Sequence, residues 1–124
     1  MIAADTSSLI AFLSGDVGDD VDAIAQAMAT GAFLIPPPAL SELLVKGDPD
    51  QISYLIQTAP SIPIEEGYWN RAGLTRRMLL GQGLKAKLGD TLIAQCCIDA
   101  DVPLIARDRD YRHFERWCGL KLAL

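Results

Sequence analysis

The sequence alternates short, wholly apolar segments with longer segments of helical character, and this alternation constrains the fold more than any other feature. The clearest segments are residues 2–5, in which Asp5 follows three apolar residues, 32–35 and 103–106, and weaker ones occupy residues 61–64 and the region 121–124. Strands that are apolar along their whole length are typical of a parallel sheet with helices on both faces. We therefore predict an α/β fold, a three-layer sandwich whose parallel sheet has about four to five short strands.

The segments between the predicted strands favour helices. They cover residues 6–13, about 19–30, 38–46, 49–58, 66–80, 90–100 and 111–117. The GQG sequence at residues 81–83 has no strand before it, so we interpret it as the end of a helix rather than as a phosphate-binding loop. The 124 residues contain no linker, internal repeat or low-complexity tract, which predicts a single domain over residues 1–124.

Composition excludes several classes of protein. No apolar run approaches the roughly 20 residues of a membrane span, and the N-terminus does not resemble a secretion signal. The three cysteines, of which Cys96 and Cys97 are neighbours, form neither a disulfide framework nor a zinc-binding pattern. We therefore expect a cytoplasmic protein with no membrane association.

The charge is distributed unevenly along the chain. The net charge is −5, yet residues 1–66 contain ten acids with Lys46 as their only base, whereas residues 67–124 contain ten bases. Five bases and no acid lie between Gly67 and Gly89, namely Arg71, Arg76, Arg77, Lys85 and Lys87. This cluster is either the solvated face of a helix or a local patch that attracts phosphate.

Four acids from distant parts of the chain are predicted to meet at one edge of the sheet. Asp5 ends the first strand, Glu42 lies in the helix after the second, Asp90 opens a helix, and Asp108 follows the strand at 103–106. Ligands of open parallel sheets bind beyond the carboxyl ends of the strands, where the following helices begin. This edge is the predicted functional site.

The four acids differ in how strongly their local sequence supports a functional role. Asp90 shares its helix side with Ile93 and Cys97, so its carboxylate should be buried, which is costly without a partner or a metal ion. Taken alone, Asp5 could be a helix cap and Glu42 a surface residue. Asp108 competes with Asp110, which could cap the last helix; we favour Asp108 because it is closer to the strand.

These residues resemble the motifs of PIN-domain nucleases, and in particular the toxins of VapBC-type toxin–antitoxin pairs. The resemblance covers essentially the whole chain and rests on ADTSSLIAFL, PPPALSELL, LGDTLIAQCC and PLIARDRDYRHF, in that order. One position departs from the family pattern: Ala106 stands where Thr or Ser is usual, two residues before the fourth acid.

The resemblance implies a metal-dependent endoribonuclease, with Mg²⁺ or Mn²⁺ bound by Asp5, Glu42, Asp90 and Asp108. Thr6 or Ser7 would place a hydroxyl beside the metal. RNA would lie across the acidic edge, with Arg107 as a contact and the five clustered bases steering it. The resemblance also implies a small antitoxin as partner and a homodimer. Carboxylates suit Mg²⁺, a hard ion that prefers oxygen, and metal ions activate water for attack on phosphodiesters.

Other functions remain open from the sequence. A catalytically weak or inactive PIN-like module that binds RNA or a protein is compatible with Ala106. A phosphatase or phosphotransferase of another Rossmann-like family commonly needs Asp-x-Asp after the first strand, but Asp5 is followed by Thr6 and Ser7. A serine or cysteine hydrolase is hard to build around the single histidine, His113, which we interpret as a surface residue.

Overall fold

The computed structural model describes residues 1–124 as three strands and seven helices. The strands are β1 (Ile2–Ala4), β2 (Phe33–Leu34) and β3 (Leu104–Ile105). The helices are α1 (Thr6–Leu13), α2 (Asp19–Ala29), α3 (Pro37–Lys46), α4 (Pro49–Thr58), α5 (Tyr68–Gly81), α6 (Leu88–Ala100) and α7 (Tyr111–Cys118). None of the helices combines the length and the apolar character that crossing a membrane requires.

The three strands form one parallel sheet in the order β2-β1-β3, with β1 in the centre. Ala3 of β1 is in register with Leu34 of β2 and with Leu104 of β3. The central strand therefore fixes the position of both neighbours, and each chain segment that follows a strand leaves the sheet at the same edge.

The predicted number of four to five strands is wrong, because two of the predicted strands do not form. Residues 61–64 and 121–124 each contribute a single parallel bridge, Ile35 with Ser61 and Leu104 with Leu122. Pro60 flanks the first of these bridges, and Pro63, which has no N–H group, stops it from extending into a ladder.

Helices cover both faces of the sheet, as the apolar strands predict. Ala3 and Ala4 in β1, and Leu104 and Ile105 in β3, are all 0% exposed. Adjacent residues of a strand point to opposite faces, so burial of both members of each pair requires a layer of helices on each side. The structure thus has the layered α/β architecture that the sequence indicates.

The helix boundaries follow local chemistry. Asp5 and Asp48 cap α1 and α4 by accepting backbone N–H groups from Ser8 and Asp50. Helix α5 begins two residues after its predicted start, because Gly67 immediately before it adopts a left-handed conformation (φ 80°). The predicted stop after α5 is confirmed, since this helix ends at Gly81.

Two neighbouring leucines of α3 provide a test of this packing. Leu43 is 0% exposed and Leu44 is 56% exposed. We expect Leu43→Ala to lower the free energy of unfolding by roughly 2–5 kcal/mol, because it leaves a cavity, and Leu44→Ala to change it by less than about 1 kcal/mol. Urea denaturation measures both, and equal effects of the two substitutions would contradict the packing of α3.

Candidate metal centre

A polar cleft of about 340 Å³ lies at the carboxyl edge of the sheet. Its walls come from the ends of β1 and β3 and from helices α1, α3, α6 and α7. The lining residues are Asp5, Thr6, Ser7, Ile10, Glu42, Lys46, Lys87, Asp90, Asp108 and Tyr111. All four acids predicted from the sequence therefore face one cleft, although they are up to 103 positions apart in the chain.

Asp5 is both a helix cap and a wall of the cleft. Its Oδ1 accepts the backbone N–H of Ser8 at 2.9 Å, and its Oδ2 accepts the hydroxyl of Ser7 at 2.9 Å. The side chain is almost completely buried, at 1% exposure. Burial raises the pKa of Asp5 above its usual range, and the hydrogen bonds from Ser8 and Ser7 oppose this shift. The two interpretations of Asp5 left open by the sequence are thus compatible.

Glu42 is placed by a hydroxyl and by a glycine. Thr6 donates its hydroxyl to Oε1 of Glu42 at 2.5 Å, which joins α1 to α3. Gly89, in the first turn of α6, approaches from the other side, and a Cβ atom at this position would lie 2.9 Å from Oε2 of Glu42. The carboxylate is half-buried and points toward the other acids rather than outward as a surface glutamate does.

Asp90 is the most perturbed acid of the cleft. Burial raises the pKa of Asp90 to about 6, and the neighbouring Asp108 carboxylate adds to the shift. Tyr111 donates its hydroxyl to Oδ1 of Asp90 across a long contact of 3.4 Å. The other oxygen, Oδ2, is buried and has no hydrogen-bond partner. The side chain as a whole is half-buried, and the burial expected for it holds for Oδ2.

The tightest group of carboxylates includes an acid that the sequence analysis did not favour. Oxygen atoms of Asp90, Asp108 and Asp110 lie within 4.8 Å of one another. Asp108 also accepts the backbone N–H of Asp110 at 2.9 Å, and Asp110 precedes α7 without capping it through its side chain. The alternation of acids in the sequence RDRDY is the signal that two carboxylates follow β3 together.

The chemistry of the cleft fits a hard divalent cation. All its candidate ligands are oxygen atoms, and no histidine or cysteine lines it, which suits Mg²⁺ or Mn²⁺ rather than zinc. Buried polar atoms without a partner are rare in folded proteins, so the unpaired Oδ2 of Asp90 indicates that a ligand binds there. A cation would be such a ligand and would offset the repulsion between the acids.

Two other polar residues of the cleft escaped the sequence analysis. Lys46 lines it because it follows Glu42 by four residues, one helical turn along α3. Tyr111 reaches Asp90 from the start of α7 and is 1% exposed. The i, i+4 spacing could have revealed Lys46, whereas the contact of Tyr111 depends on how α7 packs against α6.

Arg107 and Arg71, both expected to contact or steer RNA, form ion pairs within the protein. Arg107 donates to Asp20 at 2.8 Å and to Asp16 at 3.2 Å, and so ties the end of β3 to the start of α2. Arg71 donates to Asp99 at 2.7 Å, joining α5 to α6. Neither residue lines the cleft.

The remaining bases of the predicted patch are more accessible. Lys87 lines the cleft, and Arg77 and Lys85 are exposed. Arg76 donates its Nε to the carbonyl oxygen of Ala86 at 2.7 Å. None of these four side chains forms an ion pair. The cluster thus divides into two arginines held by contacts within the chain, Arg71 and Arg76, and three bases that face solvent or the cleft, Arg77, Lys85 and Lys87.

The chain belongs to the PIN-domain family, whose model matches residues 2–116. The PIN resemblance inferred from the four motifs is therefore confirmed. None of the curated proteins matches this chain in sequence.

Two solved structures have a similar fold. One is VapBC2 from Rickettsia felis bound to a DNA fragment from their promoter, with a TM-score of 0.77 and 18% identity over 98% of this chain and 97% of that chain. The other is VapBC-5 from Mycobacterium tuberculosis, a member of the VapBC family of toxin–antitoxin systems, with a TM-score of 0.67 and 16% identity over 98% of this chain and 95% of that chain. At these identities the likeness shows the fold.

The buried carboxylate of Asp90 predicts a pH dependence of stability. Because its pKa is raised to about 6 in the folded protein, its charge destabilises the fold above pH 6. The folded carboxyl takes up a proton as the pH falls through 6, and this cost is relieved completely only at about pH 3, below the ordinary pKa of the unfolded carboxyl. In EDTA, we expect Asp90→Asn to raise the free energy of unfolding by on the order of 1–2 kcal/mol at pH 8, after allowance for partial exposure.

This gain should shrink as the pH falls below 6 and approach zero at about pH 3, because Asp90 is then neutral in both the folded and the unfolded protein. Urea denaturation across this pH range measures the difference between Asp90→Asn and the unsubstituted protein. A difference that stays constant over the range would mean that Asp90 ionises like an exposed carboxylate.

Proposed function

We propose that the protein is a metal-dependent endoribonuclease that hydrolyses phosphodiester bonds in RNA, and that it is the toxin of a type II toxin–antitoxin pair. The observation that carries the proposal is the buried Oδ2 of Asp90, which has no partner in a cleft lined by three further carboxylates. Membership of the PIN-domain family supports the reaction class. The fold shared with VapBC2 and with VapBC-5, a member of the VapBC family of toxin–antitoxin systems, supports the toxin assignment.

In this proposal Asp5, Glu42, Asp90 and Asp108 hold Mg²⁺ or Mn²⁺, and Asp110 adds a carboxylate beside the last two. When bound, such an ion neutralises the charge of a phosphodiester and lowers the pKa of a coordinated water. The chain contributes the positions of the carboxylates, which it fixes through hydroxyl and backbone donors.

The donors act on different acids. The hydroxyl of Thr6 holds Glu42, and the N–H of Ser8 and the hydroxyl of Ser7 hold Asp5. Tyr111 closes the inner wall of the cleft and contacts Asp90. These contacts keep the oxygens in place without adding a general base, which agrees with the lack of any histidine in the cleft.

The proposed substrate, RNA, is an anion, and the cleft that would bind it is lined by both carboxylates and lysines. Lys46 and Lys87 line it beside the carboxylates. They can attract a phosphate group to the edge of an otherwise acidic site, and Arg77 and Lys85 extend the positive charge along the surface. Arg107 holds the end of β3 against α2 through its ion pairs, so the RNA contact proposed for it would have to compete with Asp16 and Asp20.

RNA cleavage in the presence of Mg²⁺ or Mn²⁺ is the central prediction. We expect Asp90→Asn to lower the cleavage rate by roughly 100-fold or more, because it removes a metal ligand. Asp22→Asn, the same change at an exposed acid of α2 that forms no ion pair, should have no effect. The measurement is the rate of cleavage of a labelled RNA pool, and undiminished cleavage in excess EDTA would refute the proposal.

Metal binding can be measured separately from cleavage. Mg²⁺ at ten to a hundred times its Kd should stabilise the protein by about 1.4–2.7 kcal/mol. Asp5→Asn keeps the cap of α1, because Asn caps about as well as Asp, but removes a charge from the cleft. Its melting temperature should therefore rise less on adding Mg²⁺. An equal rise in the two proteins would exclude Asp5 as a ligand.

In the cleavage experiment, RNA binding without cleavage would favour the alternative function, a catalytically inactive PIN-like module that binds RNA.

We also propose a small antitoxin protein as partner, in line with the described similar structures. A surface groove between α1, α2 and α4 offers a place for it. Phe12, Leu13, Met28, Tyr54 and Leu55 line this groove. It belongs to the half of the chain in which ten acids accompany a single base, so it suits a partner segment that is both apolar and basic.

We propose that the protein is a homodimer. Family resemblance supports this, as do large exposed apolar side chains such as Val45 at 84% and Leu74 at 64%. Light scattering at tens of micromolar should give twice the mass of the 13.4 kDa chain. A monomer mass at that concentration would contradict the proposal.

A further inference from the structure

An apolar groove continues directly from the acidic cleft. It has a volume of about 360 Å³, and its walls include Pro37, Trp69 and Leu88. Glu42 lines both the groove and the cleft. Gly89 lines the groove and its neighbour Asp90 lines the cleft, so the first turn of α6 forms the boundary between them. A ligand that extends beyond the carboxylates on this side enters the groove.

Trp69 gives this groove an aromatic wall. Its side chain is 66% exposed, although its neighbour Tyr68 is only 1% exposed. The two rings meet edge to face, with centroids 4.9 Å apart and planes at 77°. The buried tyrosine thus supports the exposed tryptophan, so that a flat ligand meets a surface that is already ordered.

The surroundings of the groove carry positive charge. Beyond Leu88, a neighbouring depression is lined by Arg76 and Arg77, and Lys87 lies on the side of the cleft. Neither Arg77 nor Lys87 forms an ion pair. A ligand that fits has a flat apolar part for the groove and negative charges on either side of it. Single-stranded nucleic acid has this combination, in which bases stack on aromatic rings and basic residues follow the backbone.

We propose that the groove binds a base of single-stranded RNA next to the phosphodiester in the acidic cleft, with Trp69 as its stacking surface. The inference rests on the proposed function, since it assigns the neighbouring nucleotide of the same substrate. Trp69 is then a substrate-binding residue that influences which RNA sequences are cut, because stacking strength differs between bases.

The test measures RNA binding without cleavage. The protein carries Asp90→Asn, is kept in EDTA, and also carries Trp117→Phe so that Trp69 is its only tryptophan. A short single-stranded oligoribonucleotide should quench the tryptophan fluorescence in a saturable way. An oligomer of the same length whose nucleotides lack bases carries the same phosphates, and it should cause little quenching.

The contribution of Trp69 to RNA affinity is measured by substituting it in the Asp90→Asn protein and following the fluorescence anisotropy of a labelled oligoribonucleotide. We expect Trp69→Ala to weaken binding roughly 5- to 150-fold, the usual range for loss of one stacked base. Trp69→Phe keeps an aromatic ring and should recover most of the affinity. Trp117→Ala, a control at the other tryptophan, which is 46% exposed on α7, should leave the affinity unchanged.

Three results would overturn the inference: equal quenching by the oligomer without bases, unchanged affinity of Trp69→Ala, and no detectable binding. A change from dimer to monomer caused by Trp69→Ala would do so as well, because a second copy of the chain would then cover the groove. Cleavage plays no part in these measurements. If the unsubstituted protein failed to cleave RNA with Mg²⁺ or Mn²⁺ but RNA binding still depended on Trp69, the proposed nuclease activity would be refuted and the stacking role of Trp69 would stand.

Discussion

The junction between the central strand and the first helix is the point on which the rest of the structure depends. The backbone N–H of Asp5 donates to the carbonyl oxygen of Ile105, and its carboxylate caps α1. One residue therefore ends β1, continues the pairing with β3 and starts the next helix. Since β1 is the middle strand of three, this junction also sets where the acids of the other elements can approach.

Burying several carboxylates together is unfavourable, and the structure only partly relieves the cost. Hydroxyl and backbone donors serve Asp5 and Glu42, but one oxygen of Asp90 has no partner. Removing such a group from water without a hydrogen bond costs several kcal/mol. The same arrangement that weakens the metal-free fold is therefore the one that favours a cation, which links stability to the proposed activity.

Much of the fold and the position of the acidic cleft could be predicted from the sequence. Apolar strands identify a covered parallel sheet, and such a sheet has one edge at which acids after strands and at helix starts must meet. The number of strands was overestimated because residues 61–64 were assigned from their apolar character, although Pro63 lacks the N–H group that a strand ladder needs. Tyr111 was missed for a different reason: its contact with Asp90 spans 21 positions and arises from packing.

The basic residues show that the sequence alone also does not predict which charges are available to a ligand. A charge count treats Arg71, Arg77 and Arg107 alike. Arg107 nevertheless pairs with Asp20 across 87 positions and Arg71 with Asp99 across 28, while Arg77 has no ion-pair partner. Only the fold decides which positive charges are neutralised within the chain and which are available to an anionic ligand.

At Gly89, the residue that would most stabilise the helix differs from the residue that leaves room for the acidic cleft. Gly89 lies in the first turn of α6, where alanine generally favours the helix more than glycine does, by up to about 1 kcal/mol. A methyl group there would nevertheless displace the carboxylate of Glu42, from which it would be 2.9 Å away. The change that best suits the helix is thus the one that disturbs the acidic cleft, and selection for stability alone would remove the glycine.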